Sequence, residues 1–214
     1  KVFNHLCGVT TETFPATALA PSSTHIQWPV STYTATTDIT ASDKFTATII
    51  SKAKTKAMTL ARRVKPILEG GKEYYVCVIH PYQAYDLRQD TDWQNAQLHA
   101  AERGSTNPIF SGAMGVWDDV VIHVHPKIAT ASTWGSGAVN GATALFLGAQ
   151  AGLIAFAGAW GGGQGREMMQ WVEKDFDYAN QTGVATGTIM GFKKTRFNSI
   201  DFGVIAIQTA ATAP

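Results

Sequence analysis

Two histidines, His123 and His125, stand two residues apart in the run Val120-Val121-Ile122-His123-Val124-His125. On a strand, residues so spaced point to one side, and both imidazoles could reach a single metal ion. A metal centre needs a third and a fourth ligand, and the sequence marks neither. Val120, Ile122 and Val124 would form the opposite, core-facing side, and polar residues on the wet side of a half-buried strand give the same pattern. The structural reading is the stronger. Glu173, Asp175 and Asp177 form a second group along one strand face, with Val172, Phe176 and Tyr178 on the other. Paired carboxylates can do acid–base work or hold a cation. A solvated or partner-facing acidic row explains them as well.

The remaining chemistry is weaker. Gly161 to Arg166 is glycine-rich but lacks the Lys-Ser/Thr pair of a phosphate loop. His80, Asp86 and Arg88 have no triad spacing, and Ser51, Ser111 and Ser132 sit in no nucleophile elbow. Lys52, Lys54, Lys56, Arg62, Arg63 and Lys65 cluster along one segment and read as a solvated face. Cys7 and Cys77 have no metal-ligand spacing; they are read as thiols in a reducing setting, with Cys77 buried in an apolar run. No residue is assigned a catalytic, cofactor-binding or metal-binding role, and no cofactor is expected.

The elements that must position these residues follow from periodicity and breakers. A helix end at Val2–Leu6 stops at Gly8, and residues 1–41 otherwise read as an extended arm, broken by Pro15, Pro21 and Pro29. A helix is predicted over Asp43–Arg63, capped by Ser42 or Asp43, with Phe45, Ile49, Ala53, Ala57, Leu60 and Ala61 on its buried face. Gly70-Gly71 turns into a strand at Tyr74–Ile79, closed by His80-Pro81. A second helix falls within Asp92–Arg103, capped by Asp90 or Thr91 and broken by Gly104, Asn107 and Pro108. The Val120–His125 strand precedes a Gly- and Ser-rich loop at 131–137. Further strands are predicted at Met169–Tyr178, Val184–Phe192 and Phe202–Thr209, the first two joined through Asn180–Gly183. The order implies a mixed α+β fold, with residues 42–214 as its core.

Composition narrows the function. Charged residues are 15% of the 214 and the net charge is +1. So few charges suit a surface partly covered by neighbours, and the near-neutral balance argues against binding nucleic acid through a broad basic face. Gly141–Ala159 carries no charge, but it is rich in Gly and Ala and has no flanking basic anchors, so it reads as a buried element and not as a membrane span. The chain opens Lys1-Val2-Phe3 without an initiator Met or a signal peptide, as the inside of a longer product would.

Several blocks, in order across residues 39–209, are similar to the podovirus-type major capsid proteins of tailed phages. They are Tyr75-Val76-Cys77-Val78-Ile79-His80-Pro81 running into Asp86-Leu87-Arg88 and Trp93, then Asn107-Pro108-Ile109-Phe110-Ser111-Gly112-Ala113-Met114-Gly115. Trp117 leads to Val120-Val121-Ile122-His123, and Ala144-Leu145-Phe146-Leu147-Gly148-Ala149-Gln150-Ala151 follows. Trp171-Val172-Glu173-Lys174-Asp175-Phe176-Asp177-Tyr178 and Phe197-Asn198-Ser199-Ile200-Asp201-Phe202-Gly203-Val204-Ile205 complete the set.

The resemblance implies the Hong-Kong-97-type shell fold with peripheral and axial lobes, here without the N-terminal arm, extended loop and most of the spine helix. It implies a structural major capsid protein that assembles with copies of itself into hexamers and pentamers around double-stranded DNA, without sequence-specific contact. Scaffolding, portal and decoration proteins would be its other partners. Its place would be the virion, after assembly in the bacterial host cytoplasm. Loops at 131–140 and 158–166 are the expected contact or axis-facing segments. The rival readings are a metal-dependent enzyme using His123 and His125, and a small-ligand or glycan-binding module using exposed Trp117, Trp134 or Trp160.

Overall fold

The computed structural model describes residues 1–10, 17–99, 113–156, 170–178 and 180–213. In chain order the helices are α1 (Val2–Cys7), α2 (Ala47–Thr59), α3 (Pro81–Gln89) and α4 (Thr91–His99). The strands are β1 (Ile26–Gln27), β2 (Ile67–Glu69), β3 (Lys72–Ile79), β4 (Gly115–Trp117), β5 (Val120–Val124), β6 (Thr130–Trp134), β7 (Val139–Leu147), β8 (Gly152–Phe156), β9 (Gln170–Phe176), β10 (Gln181–Gly187), β11 (Met190–Lys194), β12 (Arg196–Phe197), β13 (Ile200–Asp201) and β14 (Val204–Ala210). The mixed α+β reading stands.

Eight strands form one mixed sheet in the order β1-β14-β7-β3-β5-β4, with β2 on β3 and β6 on β7. The β3–β5 pair is parallel, so the chain must cross over between them, and α3 and α4 lie in that connection. Alternation along the central strands sends side chains to two cores. Tyr75, Cys77, Ile79, Ala144, Phe146, Ile205 and Ile207 meet α2, α3 and α4 on one face. Val78, Leu145 and Val204 meet Leu6 and Cys7 of α1, together with Phe192, on the other. A strand buried on both faces reads as a continuous apolar run, as β3 and β7 do.

Helix α2 starts four residues later than predicted. Its first backbone N–H, at Ala47, donates to Asp90 Oδ2 at 2.7 Å, while Thr46 at the cap position offers no side-chain bond. Asp43 serves elsewhere: its carboxylate accepts from Thr40 N and Oγ1 at 2.7 Å each and from Tyr33 Oη at 3.1 Å. The helix also ends early, at Thr59, which leaves Ala61 exposed, whereas Phe45, Ile49, Ala53 and Ala57 are buried as expected.

Helix α3 went unpredicted. His80 Nδ1 accepts from Tyr82 N, Gln83 Oε1 accepts from His80 N, and Pro81 occupies the first turn, so "His-Pro" opens a helix while it closes a strand. Residues 131–134, expected in a loop, are strand β6, and the turn is confined to Gly135–Ala138 before β7. Gly141 permits that hairpin: a Cβ there would stand 1.9 Å from the Trp134 ring. The breakers Gly104, Asn107 and Pro108 lie outside the described residues. The apolar stretch from 141 is two strands, β7 and β8, and among the described residues no helix is long and apolar enough to cross a membrane.

Candidate functional site

Strands β8 to β11 leave the sheet as a two-stranded ribbon. β11 pairs antiparallel with β8 (Met190↔Phe156 to Lys194↔Gly152), and β10 pairs antiparallel with β9 (Gln181↔Phe176 to Gly187↔Gln170). Only Thr188 and Ile189 separate β10 from β11, so the two ladders follow each other along residues 181–194. The predicted strand Val184–Phe192 is therefore two strands with different partners. The predicted turn Asn180–Gly183 is displaced toward Asp177–Asn180, with Asp177 and Tyr178 at positive φ.

The base of the ribbon is anchored by buried charge. Asp201 of β13 accepts from Lys194 Nζ of β11 at 3.0 Å and from Arg196 Nε of β12 at 2.6 Å, and its side chain is 1% exposed. The same carboxylate accepts from Ser22 N at 3.1 Å, and Lys194 Nζ also donates to Leu19 O at 3.1 Å. Burial pulls the Lys194 ammonium below its usual range despite the upward pull of Asp201. A buried ion pair contributes little net stability, but removing one partner strands the other. Ser22 Oγ also lies 3.1 Å from Nδ1 of His25, a buried imidazole that burial holds below its ordinary pKa. Residues 19–25 thus clamp the point where the ribbon leaves the body.

Beyond that anchor the ribbon is wet. Leu153 (63%), Ile154, Phe156, Trp171 (64%), Val172, Phe176, Tyr178, Val184 and Met190 are all exposed. Directly opposed residues share a face. Trp171, Glu173 and Asp175 therefore line one side with Thr186, Val184 and Thr182, and Val172, Lys174 and Phe176 line the other with Ala185, Gly183 and Gln181. Both sides carry large apolar groups. Asp175 Oδ1 accepts from Thr182 Oγ1 at 2.8 Å, and Lys174 Nζ lies 5.3 Å from the centre of the Phe176 ring. Asp177, in the turn, accepts the backbone N–H of Asn180 on its own carbonyl, so the predicted carboxylate row is cut to Glu173 and Asp175.

The other sequence candidates are placed as structural groups. His125 Nδ1 accepts from Lys127 N at 3.0 Å, and its ring packs tilted against Phe3 with centroids 4.4 Å apart. His123 is half-buried opposite Val78. Among the described residues no three His, Cys, Asp or Glu side chains are grouped so as to hold a metal ion. Val120 and Ile122 are buried as predicted, but Val124 is 36% exposed, because the strand runs out of the core there. Trp117 is not exposed as the ligand-binding reading required: its Nε1 donates to Ser51 Oγ at 2.9 Å and its ring lies against Trp93. Trp134 is half-buried over Gly141, and Trp160 lies outside the described residues.

Asp86 holds the C-terminal segment through Thr212, Arg88 accepts from Gln94 on its carbonyl, and Ser132 is exposed on β6. Ser111 and the glycine tract Gly161–Arg166, with the expected contact loop at 158–166, lie outside the described residues. The basic cluster is partly consumed at home: Lys54 grips Asp118 and Asp119 at 2.8 and 3.0 Å, Lys52 donates to Pro29 O, and Lys56 donates to Ile26 O. Burial pushes the thiol of Cys7 up to about 11 and that of Cys77 to about 12, which leaves both inert as nucleophiles at neutral pH.

Sequence reasoning did not single out strands β8–β11 as a projecting ribbon. Its signal was present in the apolar residues on both sides of the Met169–Tyr178 run, Trp171 on one and Val172 and Phe176 on the other.

Comparison with known proteins gives consistent matches. A family model described as "Phage capsid protein" matches residues 1–213. The major capsid protein of Pseudomonas phage KPP25 is 35% identical over 192 residues, covering 83% of this chain and 48% of that protein. A chain in the capsid of Ralstonia phage GP4 is similar with a TM-score of 0.74 and 33% identity, over 92% of this chain and 55% of that one. A chain of the cyanophage Pam1 capsid has a TM-score of 0.70 at 21% identity, over 90% and 55%, and supports the fold alone. The chain spans about half the length of the relatives it matches.

Proposed function

The chain belongs to the phage capsid protein family, and from that premise we propose that it is the shell-building part of a major capsid protein, working through its surfaces and not through a reactive site. One observation carries the reading. A ribbon fixed to the body by a buried ion cluster presents Leu153, Phe156, Trp171, Val172, Phe176 and Val184 to water. Each such side chain contributes about 1.5–3 kcal/mol when fully covered, so a ribbon of them is a surface built to be buried against something else.

In this reading the fold is of the Hong-Kong-97 type, residues 1–41 are an arm and helix end, and residues 42–214 form the peripheral and axial lobes. Copies of the chain associate into hexamers and pentamers of a closed shell in the virion, assembled in the bacterial cytoplasm around double-stranded DNA that is not read by sequence. Scaffolding, portal and decoration proteins act at the same shell. Identical tiles in a closed lattice require each edge to fit another copy, which low charge and apolar projections favour.

Electron microscopy of the complete gene product after expression, with this chain imaged beside it, tests the proposal. Closed shells from the complete product are expected. Discrete small oligomers from both would overturn it.

A further inference from the structure

Two exposed patches of opposite charge lie at the two ends of the ribbon. Near its tip, Glu173 and Asp175 share a face with Trp171 and Val184, and all four are exposed. At its base, the guanidinium of Arg62 lies 4.4 Å from the centre of the Phe197 ring and donates from Nη1 to Phe197 O at 2.6 Å. Arg63 and Lys65 continue that segment exposed, and Phe197 is itself 63% exposed. Each patch therefore combines a large aromatic surface with two or three charges of one sign, and the signs are opposite.

The two patches of one molecule are kept apart. Thr182 to Thr186, which pair with the acidic strand, stand about 11 to 15 residues before Phe197, a reach of roughly 35–50 Å at the rise of an extended strand. Most of that length is held in antiparallel ladders, interrupted at Thr188, Ile189 and Thr195. The base end is fixed by the Asp201 cluster. Among the described residues no hydrogen bond or ion pair joins Trp171, Glu173 or Asp175 to Arg62, Arg63, Lys65 or Phe197 of the same molecule.

Resting on the shell-building reading above, we propose that the Trp171–Glu173–Asp175 face of one copy docks on the Arg62–Arg63–Lys65–Phe197 patch of a neighbouring copy. Different surfaces meet in such a contact, tip to root, so it is heterologous: repeated with rotation it closes a ring, as a multi-subunit tile requires. Complementary charge fixes register and excludes tip-to-tip or root-to-root pairing, where like charges would face each other. The aromatic groups supply the buried core of the contact, and the charges its rim.

A charge swap in the complete gene product tests the pairing. The double variant Glu173→Lys with Asp175→Lys reverses the tip, and Arg63→Glu with Lys65→Glu reverses the root; all four residues are exposed, so folding should survive and is checked by circular dichroism. Shells are counted by sedimentation and electron microscopy. Each reversal alone is expected to cut the shell fraction about tenfold or more, and the two together to restore most of it. Normal shells from either single reversal would overturn the pairing while leaving the shell-building reading intact. Loss without restoration in the combined variant would also overturn it. Failure of the unaltered protein to form shells would sink the underlying reading itself.

Discussion

Strands β7 and β8 come from one unbroken apolar stretch, yet they meet opposite fates. Leu145 and Phe146 in β7 are completely buried between two cores, whereas Leu153 and Ile154, a few residues later, are more than half exposed. The side chains are equally hydrophobic. What differs is the neighbourhood: β7 has β14, β3 and β6 beside it and helices over its faces, while β8 has, among the described residues, one partner strand, β11. Apolar composition records that a strand is to be covered. Only the fold records whether its own chain does the covering.

The sharpest test of the contrast is a matched pair of truncations. Phe146→Ala removes a ring packed 5.0 Å from Tyr75 in the sheet core and should cost about 3–5 kcal/mol in denaturant unfolding. Trp171→Ala on the ribbon should stay within about 0.5 kcal/mol for the dispersed chain. Equal costs would mean that the ribbon is covered within one molecule. Asp201→Ala acts where the two regions join, and by stranding Lys194 it should cost about 3–5 kcal/mol; a loss confined to limited proteolysis within β8–β11 would show that the ribbon detaches on its own.

A smaller effect is expected at Asp90, which caps α2 across space. Asp90→Ala should cost about 0.5–2 kcal/mol, read as a fall in the unfolding midpoint, because Thr46 offers no substitute bond. The smallest effect is that of pH. Burial holds the imidazoles of His25 and His80 below 6.5 in the folded state. Well above pH 6.5 both are neutral in either state; as pH falls toward and below 6.5 the unfolded chain takes up protons that the folded chain resists, so stability falls as pH drops. The thermal midpoint should therefore decline between pH 7 and 5, with the steepest part of the loss reduced in a His25→Asn variant. His25 and His80 both belong to the body, so the ribbon should not contribute to this slope.

Much of the body was legible in residue order. Gly8 at φ 76 ends α1 as expected, Gly70-Gly71 turns β2 into β3, and the Tyr74–Ile79 and Val120–His125 runs fall on strands β3 and β5, to within two residues at their ends. These features rest on neighbours in sequence: turn residues, periodicity and β-branched runs. The start of α2 was misplaced because its cap comes from Asp90, 43 residues away, while Asp43, the local candidate, is occupied by Thr40 and Tyr33. Strand β6 was misread as loop because Gly and Ser dominate residues 131–137, and only pairing with β7 across Gly141 holds it extended.

By itself, the sequence determined the α+β class, the central apolar strands, the ends at Gly8 and Gly70-Gly71, the approximate places of two helices, and, through ordered blocks of resemblance, the capsid family. Those follow from local backbone preference and from side-chain chemistry, which every residue carries with it. Tertiary structure alone decided which apolar strands face their own core and which stay exposed. It also decided that His125 packs against Phe3, that Lys54 closes on Asp118 and Asp119, and that Asp201 roots the ribbon. Burial and pairing are properties of positions brought together from far along the chain, and no single residue or short segment contains them.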